Sequence, residues 1–96
     1  MASLKYQDGR LKLDGDLTCD SIGGLSRELL VLAGREGDLT LDLAAVQGCD
    51  SSTVAMLAAC KEVKQRQQDK LLLVNVPSRL LTLFSVYGLD NAFLNA

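Results

Sequence analysis

The stretch DLTLDLAAVQGCDSSTVAML, residues 38–57, decides the fold. It opens in alternation: Leu39, Leu41 and Leu43 fall on one face, Thr40 and Asp42 on the other. That is the period of a strand with one buried side. The segment AAVQGCD (44–50) then reads as a loop, and a helix is predicted from about Ser51 to Gln68. Asp50 stands where an N-cap belongs, because its carboxylate can accept the unpaired N–H groups of a first helical turn. Ser51 and Ser52 occupy that turn, near the positive end of the helix dipole, where a phosphate or a partner's carboxylate is stabilised. From Val54 to Cys60 no side chain is charged or strongly polar, so the first two turns are apolar all round. Val54, Leu57 and Ala58 form one stripe; Met56, Ala59, Cys60 and Val63 form a second beside it. A helix lying on a sheet needs only one. The surplus is read either as contact with both sheet and neighbouring helices or, in part, as a docking surface for another protein. After Cys60 the run KEVKQRQQDK turns polar apart from Val63, so only the serine end carries the surplus.

Upstream, LKYQDGRLKLDG (4–15) reads as two short strands around Asp8-Gly9, a dipeptide suited to a tight hairpin turn. Leu11 and Leu13 alternate with Arg10, Lys12 and Asp14, so that strand buries one face. Beyond Gly15 the chain turns helical. Ile22, Leu25, Leu29 and Leu32 share a stripe, Thr18 or Asp20 is expected to cap the start, and Gly34 or Gly37 the end. Downstream, KLLLVNV (70–76) is a continuous apolar run, as expected of an interior strand covered on both sides. Pro77 suits the first turn of a third helix, PSRLLTLFSVY, with Leu80, Leu83, Phe84 and Tyr87 on one face and Gly88 at its end. In the tail, Leu89, Phe93 and Leu94 are expected to pack back on the body. A helix between two strands is the crossover that makes them parallel. The order strand, strand, helix, strand, helix, strand, helix therefore predicts an α/β fold. It is a small mixed sheet of four to five strands with a hairpin edge and helices packed mainly on one side, one domain over residues 1–96.

Composition narrows function. The chain has 96 residues, 48% of them hydrophobic, no tryptophan, two tyrosines and two phenylalanines, so Leu, Val and Ala must fill the core. A net charge of −2 without a basic cluster excludes an electrostatic nucleic-acid binder and offers nothing to an anionic membrane surface. Cys19, Cys49 and Cys60 are widely spaced, and with no histidine in the chain they make no zinc set. They read as small reduced thiols. No apolar run approaches a bilayer span and the start lacks a signal-peptide layout, so a cytoplasmic protein is expected. A serine hydrolase needs a base that is absent here, and there is no G-x-S-x-G elbow or phosphate-cradling glycine loop. Asp14, Asp16 and Asp20 read as solvated turn carboxylates. The expectation is a non-enzyme without cofactor or metal.

With these residues in place, LTLDLAAVQGCDSSTVAMLAA followed by LLLVNVPSRLLTLFSVYGL resembles the STAS domain, the family of anti-sigma-factor antagonists and sulphate-transporter C-terminal modules. The shared pattern is a strand ending Asp-Leu, a short loop, Asp-Ser-Ser opening a helix, a strand, and a helix ending Gly-Leu. The resemblance implies a non-catalytic domain that binds partner proteins through the loop and helix, here Asp50, Ser51, Ser52, Thr53, Val54 and Leu57. Two branches differ in detail. In the antagonists the second serine of D-S-S-G is phosphorylated by a partner kinase and matches Ser52. In the small STAS subunit of Mla-type phospholipid transporters, the residue after the aspartate faces the cytoplasmic ABC ATPase and matches Ser51. The opening LKYQDGRLKLDGDLT and the ending NVPSRLLTLFSVYGLDNAFL are more similar to the Mla branch. That implies an ABC-transporter ATPase as partner, a place at the inner membrane held through that partner, and regulatory rather than catalytic work. The antagonist branch implies instead an anti-sigma kinase, with Ser52 or Ser51 as the phosphorylated position. The glycine usual after the loop is Thr53 here, which departs most from the antagonist motif. A ligand-binding sensory STAS module is the third reading; the few aromatics argue against a sizeable pocket.

Overall fold

Asp8 and Gly9 adopt positive φ angles of 55° and 77° and turn β1 (Ser3–Gln7) back on β2 (Arg10–Leu17) as an antiparallel hairpin. The computed structural model describes residues 2–90 and Phe93. After β2 come α1 (Gly23–Ala33), β3 (Leu39–Cys49), α2 (Ser51–Arg66), β4 (Leu71–Val74) and α3 (Ser78–Val86). The sheet order is β1-β2-β3-β4, with β2/β3 and β3/β4 parallel, as the helical crossovers require. This is the expected mixed α/β arrangement, four strands and three helices among the described residues.

One face of the sheet is the core and the other is open. Leu11, Leu13 and Leu17 of β2 and Leu39, Leu41 and Leu43 of β3 are buried, whereas Lys12, Asp14, Thr40 and Asp42 alternate with them on the outer face. The helices contribute Leu25, Leu29, Leu57, Leu80 and Phe84 to the same core. Phe84 stacks on Phe93 with ring centroids 4.5 Å apart, and Leu89 is half-buried against the same cluster. Leu94 lies outside the described residues.

Four expectations need correction. First, the segment 44–50 is strand as far as Cys49, not loop. Between Leu11 and Leu17 β2 takes six steps while β3, from Leu41 to Cys49, takes eight, so two irregularities are absorbed in the β3 ladder. Each one shifts the alternation, and the period-2 signal fades although pairing continues. Second, β4 is an edge strand. Leu71 and Leu73 follow the core-facing Leu39 and Leu41, while Leu72 and Val74 lie half-buried on the open face. Third, α1 starts only at Gly23, behind Ile22 and without a side-chain cap; Thr18 donates to Asp16 instead (3.1 Å). Fourth, Tyr87 is exposed, because α3 ends at Val86 and Gly88, at φ 70°, reverses the chain so that the Leu89 N–H reaches the Phe84 carbonyl (2.7 Å).

Candidate functional site

β2 and β3 run parallel and finish side by side, Leu17 opposite Cys49. Parallel strands deliver their following segments to one end of the molecule, the end where open α/β sheets place their sites. Here it gathers the β2–α1 loop, Asp50, the first turn of α2 and the first turn of α3.

Asp50 is the hub. Its backbone is extended, and one carboxylate oxygen accepts the Ser52 N–H (2.9 Å) while the other accepts the Cys19 N–H, 31 residues away (3.1 Å). These N–H groups, that of Cys19 foremost, hold the Asp50 carboxyl below the ordinary aspartate range. Thr53 completes a capping box by accepting the Asp50 N–H (3.1 Å), and its hydroxyl donates to the Leu17 carbonyl (2.6 Å). Arg79, in the first turn of α3, donates Nε to the Cys49 carbonyl (3.0 Å). β2, β3, α2 and α3 are thus tied together within a few residues of the serines.

Asp50 and Ser52 are half-buried and Ser51 is exposed. Thr53, Val54 and Leu57 are buried, at 0%, 5% and 0% exposure. Those three were expected to touch a partner; they are used inside the fold and can only shape the surface. Met56 and Cys60 are buried too, so the apolar surplus of α2 is absorbed by the sheet and the flanking helices. What remains outward near the serines is a low strip: Ser51, the exposed Ala55 and the half-buried Ala58 and Ala59.

Among the described residues neither serine hydroxyl has a hydrogen-bond partner. The same residues form no group able to hold a metal ion. The Cys19 thiol is exposed and pushed up by Asp20 and then Asp50; Cys49 and Cys60 are buried, and burial pushes the Cys60 thiol up to about 11. Concave regions lie elsewhere, on the open sheet face around Arg10, Lys12 and Asp42 and beside the α1–β3 turn at Glu36 and Gln67. The Cys19 N–H, the Leu17 carbonyl and Arg79 went unforeseen. The first two are backbone groups without a side-chain signature, whereas Arg79 follows once β4 is placed parallel to β3.

The sequence profile of the family described as "Mlab, STAS domain" matches residues 1–95. Among curated proteins, none matches. Among solved structures, the Bacillus cell fate determinant SpoIIAA in its phosphorylated form is similar, with a TM-score of 0.71 at 13% identity over 98% of this chain and 89% of that one. The anti-sigma factor antagonist SpoIIAA in its unphosphorylated form gives a TM-score of 0.68 at 12% identity over 88% and 82%. At such identity the likeness is one of fold.

Proposed function

The chain belongs to the STAS-domain family described as Mlab, and from that premise we propose that it is a non-catalytic, cytoplasmic docking subunit. Acting as a single STAS domain, it binds the ATPase of an Mla-type phospholipid ABC transporter and supports its assembly or active conformation at the inner membrane. The observation that carries this reading is the start of α2. There a capped helix, cross-tied to β2 and to the β2–α1 loop, leaves Ser51 exposed at the head of a low alanine strip. A helix start held this firmly loses little conformational freedom on binding, which favours affinity. Small side chains let a partner helix approach closely. No helix of the described residues is long and apolar enough to cross a membrane, so in this reading the membrane is reached through the partner.

The test is Ser51→Arg. A bulky cation on the strip is expected to weaken binding to the ATPase at least tenfold, about 1.4 kcal/mol, while the circular dichroism and melting of the isolated chain stay as in the wild type. Unchanged affinity refutes the reading.

A second reading, an anti-sigma antagonist switched by phosphate on Ser52, draws on the SpoIIAA-like fold and on Ser52 lying beside Asp50. Phosphate there adds about −1.5 to −2 charges next to a carboxylate. Thr53 in place of the antagonists' glycine speaks against it.

A further inference from the structure

The two edges of the sheet are built differently. β1 carries Lys5 at its centre, so two copies pairing through that edge set like charges opposite one another, a common protection of edge strands. β4 carries no charge, no proline and no bulge. Its hydrogen-bonding pattern is also fixed. Leu39 pairs with Leu71 and donates its N–H to the Lys70 carbonyl (2.9 Å), so in the parallel ladder Leu72 and Val74 turn their N–H groups toward β3. Leu71 and Leu73 turn theirs, with their carbonyls, outward; among the described residues nothing bonds to them. An edge left open in this way is a template for another strand.

We propose that this strand is β4 of a second copy, running antiparallel about a twofold axis that passes through Leu72 normal to the sheet. Two requirements select the register. Residues opposite one another must share a face of the joined sheet, and the outward groups must meet each other. Both are met when Leu72 faces Leu72 of the second copy and Leu71 exchanges its bonds with Leu73 of the second copy. Moving the axis to Leu71 or Leu73 sets a leucine against Asp69 or Asn75, both outside the strand. The contact is wider than the strand. Successive crossovers step across the core face in one direction, so α3, which packs on α2, lies on the β4 side. It carries the exposed Leu81 and Val86 and flanks the seam from both copies. The joined sheet then ends in two β1 strands, each guarded by Lys5, so assembly closes at two copies. With only four residues in β4, the dimer belongs among small, weak interfaces, with a Kd on the order of 100 μM.

The experiment is sedimentation equilibrium with residue-resolved amide hydrogen exchange on the isolated chain, its concentration raised from about 10 μM to about 1 mM. The mass is expected to rise from one copy toward two. Exchange at Leu71 and Leu73 is expected to slow about threefold or more, while Leu72 and Val74, already bonded to β3, change far less. Leu72→Lys and Leu72→Glu each place a like charge on itself at the axis, on the open face. Either variant alone is expected to stay a single copy with wild-type circular dichroism, and an equimolar mixture of the two to associate again. A wild type that stays a single copy at about 1 mM overturns the proposal, as does a dimer that survives Leu72→Lys or a mixture no heavier than its parts. If a variant does not fold, the concentration dependence of the Leu71 and Leu73 amides in the wild type decides alone. No ATPase enters the readout, so failure here leaves the docking reading standing.

Discussion

Thr53 stands where the antagonist motif has glycine, and its hydroxyl has two tasks that glycine cannot perform. It accepts the Asp50 N–H and donates to the Leu17 carbonyl while wholly buried. Thr53→Val keeps the shape and leaves both groups without a partner in a dry environment. It is expected to lower stability by about 2 kcal/mol in urea unfolding, with Thr53→Ser recovering most of that. Asp50 supplies a pH signature. Its folded carboxyl is depressed below the unfolded value, so its contribution is fully present above the unfolded pKa, near 4, and is lost as pH falls through the folded one. Asp42, held down by Asn75 and the Ala44 N–H, behaves alike on the open face. Asp50→Asn is therefore expected to flatten, without abolishing, the acid limb of stability measured between neutral pH and about pH 2. The residues at this site were only partly legible. Asp50 as a cap follows from Asp-Ser-Ser before an apolar run. Burial of Thr53, Val54 and Leu57 does not, because periodicity cannot tell an outward apolar stripe from one covered by a second helix.

The elements were read best where one face alone is buried. β2, the first part of β3 and α3 all show their period, and Asp8-Gly9 and Gly88 mark turns through positive φ. The reading failed where pairing continued without its period, at 44–49, and where an apolar run belonged to an edge, at β4. Gly24 lies in the first turn of α1, is exposed, and a side chain there meets nothing within 4 Å. Neither space nor φ calls for glycine. Gly24→Ala is expected to raise stability by about 0.5 kcal/mol, read from the thermal midpoint. At the far end of α2, inside the polar run that follows Cys60, Lys64 is buried. Its ammonium donates to the carbonyls of Arg35 (2.7 Å) and Gly37 (2.6 Å), pinning the α1–β3 turn to α2. Gln67 adds a bond to the Gly34 carbonyl (2.6 Å) and Asp69 accepts the Gly37 N–H (3.0 Å). Lys64→Met is expected to cost about 1–2 kcal/mol in urea unfolding and to speed amide exchange across Gly34–Asp38. Wild-type stability would mean that water replaces the ammonium at no loss.

At the scale of the molecule, two features set where function can lie. The sheet has one covered and one open face, and the parallel order β2-β3-β4 sends three connections to the serine end. The fold class, strand order by type and helix count follow from element order and the crossover rule. The side-by-side finish of β2 and β3, and hence the bond from Cys19 to Asp50, needs a register that the sequence does not display. Ser51 is where these scales meet: exposed by the cap, backed by a packed helix, and set at the converging end. The measurement that bears most directly on its role is affinity capture of the tagged chain and of its Ser51→Arg variant from native cells, with mass spectrometry of what stays bound. The docking account predicts an ABC ATPase with its permease on the wild type and its loss from the variant. A small ATP-binding kinase on the wild type, with phosphate on Ser52, or an ATPase retained undiminished by the variant, contradicts it.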